Sequence, residues 1–139
     1  MAEARRARGL IDTSVVIDLD RVDAADLPQE IAVSAVTLAE LVAGPLATSD
    51  PAERARRQDR LQRAEATFDP LPFDVGAARA YGRIYAAVIG VGREARGQRA
   101  VDLLIAATAL AAGLPLYTCN PDDFAHLADL EVIAIDPRA

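Results

Sequence analysis

Near the start of the chain the short apolar run Gly9-Leu10-Ile11 passes directly into Asp12-Thr13-Ser14, and apolar residues resume at Val15. A run of that length bounded by polar residues suits a buried strand, and the two hydroxyls suit the cap of a following helix. Asp12 therefore falls at the carboxyl end of a first, central strand, where open α/β sheets bind their ligands. A carboxylate is costly to bury there without a partner, and a divalent cation is the obvious one. The plainer alternative is that Asp12 only accepts the first amides of a helix as its N-cap. This stretch alone leaves both readings open.

Further along, short apolar strands alternate with helices. Ile31-Ala32-Val33 reads as a second strand, and Ser34 starts a helix with Val36, Leu38, Leu41 and Val42 near helical spacing, ended by Gly44-Pro45. Glu40 lies inside that helix. Asp50-Pro51-Ala52-Glu53 is a strong helix start, and this helix runs to about Phe68. Its stripe of Arg56, Arg57, Arg60 and Arg63 reads as a solvated face rather than a binding patch. Leu71-Pro72-Phe73 is a short extended piece, and Asp74 caps a helix with Tyr85 and Ile89 on its apolar face. A glycine-containing loop from Gly90 to Gln98 carries Arg93 and Arg96, with Arg99 just after it; this is the best local candidate for touching a polyanion. Ala100 to Gly113 is a helix apolar nearly all round, with Asp102 near its amino end and Gly113 as its stop. Leu114 to Thr118 is another strand, Asn120-Pro121-Asp122-Asp123 another helix cap, and Glu131 to Ile135 the last strand. Strands alternating with helices predict a parallel sheet covered on both faces.

The 139 residues suit one domain, with residues 1–8 as a flexible N-terminal extension. A net charge of −6 argues against nucleic-acid binding by the whole surface, yet a site built of carboxylates is itself acidic before any cation enters. Cys119 is the only cysteine, so no internal disulfide is possible and a reducing cytoplasm is expected. No apolar run is long enough to span a bilayer. Every one of the 15 basic residues is arginine. That disfavours a phospho-acceptor regulator, which would want a lysine near the last strand. No G-x-S-x-G surrounds a nucleophile, and His126 reads as a surface residue.

Taken together the acids form a pattern: Asp12 after one strand, Glu40 in the helix after the next, Asp102 opening the buried helix, and Asp123 with Asn120 after a later strand. Carboxylates converging at one sheet edge cannot all stay ionised without a cation. Ligation by oxygen alone, with no Cys–His cluster, favours Mg²⁺ or Mn²⁺ over Zn²⁺.

The segments Leu10-Ile11-Asp12-Thr13-Ser14, Ala39-Glu40-Leu41, Val101-Asp102-Leu103-Leu104-Ile105-Ala106-Ala107 and Thr118-Cys119-Asn120-Pro121-Asp122-Asp123-Phe124 together resemble the PIN-domain ribonucleases, and among them the VapC toxins of bacterial toxin–antitoxin pairs. The resemblance implies a three-layer αβα domain around a five-stranded parallel sheet and Mg²⁺-dependent cleavage of RNA. It also implies inhibition by a VapB-like antitoxin, and a homodimer. Asp12, Glu40 and Asp102 are the matched acidic positions. Asp123 is expected as an outer ligand through water and Asn120 as a positioning hydrogen bonder. Ser14 or Thr13 is expected to hold Asp12, and Arg93, Arg96 and Arg99 to contact RNA phosphates. Cys119 stands where the family often has a basic residue. The alternative is a catalytically weak module of the same fold that acts through a partner protein.

Overall fold

The computed structural model describes residues 5–139; Met1 to Ala4, the first half of the expected extension, lie outside the described residues. From Arg5 on the chain is tied down, its guanidinium donating to the carbonyls of Leu27 and Pro28. Arg8 already belongs to the first strand.

Four strands are present among the described residues: β1 (Arg8–Ile11), β2 (Glu30–Ala32), β3 (Leu116–Thr118) and β4 (Val132–Ala134). They pair in the order β2-β1-β3-β4, every pairing parallel. The fifth strand that the resemblance implies is absent among the described residues; the extended piece Leu71-Pro72-Phe73 makes only a single bridge, in which Leu71 N–H donates to Val33 and Leu71 C=O accepts from Ala35. Ser34 is already the N-cap of the helix that begins at Ala35, so the partner segment leaves extended backbone there and gives the pairing nothing further to follow.

Side chains on a strand alternate between faces, and the sheet accordingly divides its core in two. Leu10 and Leu116 pack with Leu103, Ile105, Ile84 and Val88, from α4 (Val75–Gly90) and α5 (Gln98–Ala112). Ile11 and Tyr117 pack on the opposite face with Val15, Leu41 and Leu61. These come from α1 (Thr13–Ile17), α2 (Ala35–Ala43) and α3 (Pro51–Thr67). Helix, sheet and helix are thus the three layers. Gly9 lies so close to its neighbours that a Cβ there would fall 2.3 Å from the Tyr117 ring. Gly113 ends α5 in the left-handed region at φ +69°, as its place after the apolar run predicts.

β1 is the strand from which the chain turns both ways, first to β2 and later to β3. The carboxyl ends of β1 and β3 therefore flank the switch point, where a crevice opens in sheets of this order.

Candidate metal centre

Asp12 follows β1 at that crevice and is the N-cap of α1, its Oδ1 accepting from Val15 N–H at 3.1 Å. The cap uses only one of the two oxygens of Asp12, so capping and metal ligation are compatible. Ser14 Oγ donates to the same Oδ1 at 2.5 Å and accepts from Cys119 N–H at 3.0 Å, which ties the acid to the end of β3. Burial pushes the Asp12 carboxyl above its ordinary range; bonds from Ser14, Thr118 and the Val15 amide offset this in part.

Glu40 reaches the same edge from the second turn of α2. Thr13 Oγ1 donates to its Oε1 at 2.6 Å, and Thr37 Oγ1 stands 3.0 Å behind Thr13. The two hydroxyls after β1 therefore divide the work: Ser14 holds Asp12, and Thr13 holds Glu40 instead of Asp12.

Asp102 comes from α5, which begins two residues earlier than its apolar pattern suggests, so Asp102 lies just past the first turn. Dipole compensation alone is a weak account of it, since that effect fades beyond the first turn. Burial raises its carboxyl. A hydrogen bond from Gln98 opposes that rise, and the charges of Glu40, Asp12 and Asp123 add to it. Four acids remote in the sequence thus share one electrostatic neighbourhood. Asp123 sits half-buried in the 3-10 turn Pro121–Phe124, while Asp122 faces solvent. Asn120 is exposed; its side chain makes no capping bond, and its N–H donates to Thr118 Oγ1 at 3.0 Å.

The donors are all oxygens and their charges repel, which fits a hard divalent cation. Among the described residues, however, no group of three or more Asp, Glu, His and Cys side chains is gathered closely enough to hold one ion as the side chains stand. Gln98, a residue placed in the loop from sequence alone, bridges two of the acids. Its Nε2 donates to Glu40 Oε2 at 3.1 Å and to Asp102 Oδ1 at 3.0 Å, between the two acids.

Of the three arginines expected to meet phosphates, Arg96 is exposed and paired with Glu94 at 3.5 Å. Arg93 and Arg99 lie near His126. Burial holds that imidazole below its usual range, and the two guanidiniums lower it further. Arg99 Nη1 and His126 Nε2 are both buried without a hydrogen-bond partner. Another pair of cations comes from the arginine stripe of α3: Arg57 and Arg60 line a cleft of about 270 Å³ with Thr13 and Glu40. Arg57 is fixed by Glu53 and by the Gly44 carbonyl, whereas Arg60 has no ion-pair partner among the described residues. The regular spacing of that stripe could be read from the sequence, but the depth of one edge of it could not.

Residues 9–130 match the family model of the PIN domain. The chain is 38% identical to "Ribonuclease VapC5" of Mycobacterium tuberculosis over 135 residues, covering 93% of this chain and 96% of that one. It is 29% identical to "Ribonuclease VapC" of Rickettsia bellii over 134 residues, 91% of this chain and 95% of the other. Among solved structures it resembles that of a member of the VapBC family of toxin–antitoxin systems, VapBC-5, from Mycobacterium tuberculosis. The TM-score is 0.80 at 39% identity, over 92% of this chain and 98% of that chain.

Proposed function

The chain belongs to the PIN-domain family, and from that premise we propose that it is a VapC-type toxin that hydrolyses RNA phosphodiester bonds with the help of Mg²⁺ or Mn²⁺. What chiefly supports the reading is that Glu40 and Asp102 share one hydrogen-bond donor, Gln98, while Asp12 stands at the end of β1 beside the switch point.

In this reading Asp12 and Asp102 are the principal ligands, Glu40 orients the attacking water, and Asp123 acts at longer range through water. Bound there, a hard cation lowers the pKa of a water and stabilises charge building on the attacked phosphate. Ser14 and Thr13 keep the two carboxylates aimed, a role whose loss usually weakens metal sites. Arg99 with Arg93 on one side, and Arg57 with Arg60 on the other, hold the RNA backbone. Such contacts position the strand without reading its bases.

The relative's structure is described as a toxin–antitoxin system, and an antitoxin of the VapB kind is the partner proposed for this chain. A groove between α1 and α3, floored by Val16, Ala64 and Phe68, shares Ile17 and Arg60 with the cleft at Glu40. An amphipathic segment laid in the groove would reach the acids. A homodimer is proposed through α4, where Tyr85, Ile89 and neighbouring Val91 remain exposed. No helix among the described residues is long and apolar enough to cross a membrane. A cytoplasmic setting is proposed on the grounds of the lone, unpaired Cys119.

The deciding experiment is cleavage of structured and single-stranded RNA by the purified chain with Mg²⁺ or Mn²⁺. Asp12→Asn and Asp102→Asn are expected to fold and to lose cleavage. Undiminished cleavage by either variant, or by the parent in excess chelator, would refute the mechanism. An inert parent that still binds an antitoxin would favour the binding module instead.

A further inference from the structure

Gln98 is the first residue of α5 and follows Gly97, whose φ of +57° turns the chain into the helix. Its side chain is exposed, so packing does not dictate where the amide points. Asp102 stands four residues on, the spacing that brings side chains together on a helix face. A carboxamide nitrogen carries two N–H donors, and Gln98 spends one on Glu40 and the other on Asp102. The neutral amide thus occupies the position between two carboxylates that a cation bound to both would need.

We propose that Gln98 is a latch on the acidic site: it holds Glu40 and Asp102 together in the metal-free protein, and a cation reaches both acids only by displacing its amide. The proposal rests on the metal-site reading given above and adds a positioning residue to it. It has two consequences of opposite sign. Without metal the latch screens two like charges and joins α2 to α5, so its removal lowers stability. With metal those hydrogen bonds must be given up, so its removal strengthens binding.

The test is calorimetric titration of the full chain with MnCl₂, together with thermal melts in chelator and in saturating Mn²⁺. Gln98→Ala is expected to bind Mn²⁺ about tenfold more tightly, the scale of one lost bond to a charged group. It should also melt lower in chelator and gain more from Mn²⁺ than the parent does. Gln98→Asn, one methylene too short to span both acids, should behave in the same direction. Unchanged or weaker affinity in Gln98→Ala overturns the latch; weaker affinity would make the Gln98 carbonyl oxygen a ligand in its own right. Binding that is lost in Asp102→Asn but unaltered in Gln98→Ala removes the latch alone. A parent chain that binds no Mn²⁺ removes the metal-site reading and the latch with it.

Discussion

Thr13 Oγ1 donates to Glu40 Oε1 at 2.6 Å, so a residue of the first helical turn fixes an acid 27 positions further along the chain. Thr13→Val keeps the shape and removes the donor. Supporting groups of this kind typically matter about 10–100-fold in metal affinity or activity. RNA cleavage by Thr13→Val is therefore expected to fall within that range, with the thermal midpoint little changed. Thr13→Ser, which restores the hydroxyl, should recover most of the loss. Equal activity of the valine and serine variants would show that Glu40 needs no such anchor.

The raised carboxyls of Asp12 and Asp102 fix the sign of a pH effect. A carboxyl whose pKa is higher folded than unfolded takes up its proton first in the folded state. The fold therefore gains stability as pH falls through the folded pKa and loses it as pH rises. In chelator, Asp12→Asn should be more stable than the parent at pH 7, and the advantage should shrink as pH falls through the raised pKa of Asp12. His126 has the reverse sign, since a depressed imidazole costs stability as pH falls through its unfolded pKa. It is present in both proteins and drops out of the difference. Melting curves of the two from pH 5 to 7.5 make the comparison; an Asp12→Asn variant less stable throughout would contradict it.

Gly9 tests the sheet beneath the site. A Cβ there would fall 2.3 Å from Tyr117 Cε1 and 3.1 Å from Pro28 Cγ, and Tyr117 is 3% exposed. The buried ring has little room to yield, so Gly9→Ala should destabilise by about 1–3 kcal/mol, the usual cost of overpacking. Urea unfolding measures it. A loss below a few tenths would mean that the ring swings aside freely.

Much of this was legible in the sequence, and what escaped did so for physical reasons. Asp12, Glu40 and Asp102 announced themselves by breaking apolar stretches, and Gly113 by following one. The single bridge at Leu71 was not legible, because its short apolar run reads as extended and only the fold shows the partner segment turning into α2 at Ala35. Gln98 gave no signal, because a polar residue after a glycine looks like loop until the helix start and its rotamer are known. The arginine stripe of α3 looked uniformly solvated, since periodicity marks a face but not which neighbour overhangs its edge. His126 likewise acquired meaning only when folding brought it near Arg93 and Arg99.

Arg60 and Arg96 separate the two cationic regions by experiment. Arg60 is half-buried, lines the cleft with Glu40 and lacks an ion-pair partner among the described residues; Arg96 is exposed and already paired with Glu94. A guanidinium that meets a phosphate releases counterions, so its loss weakens binding and reduces the salt dependence by about one charge. An exposed pair contributes little in either respect. Measured on an Asp102→Asn background that leaves RNA uncut, Arg60→Ala is expected to weaken RNA binding several-fold, by roughly the worth of one charged contact, and to flatten the salt slope. Arg96→Ala should do neither. Because Arg57 also supports the turn at Gly44, its loss would mix stability with binding, which makes Arg60 the cleaner probe. If Arg96→Ala carries the salt effect and Arg60→Ala does not, the RNA path runs along the 91–97 loop and not through the cleft between α1, α2 and α3.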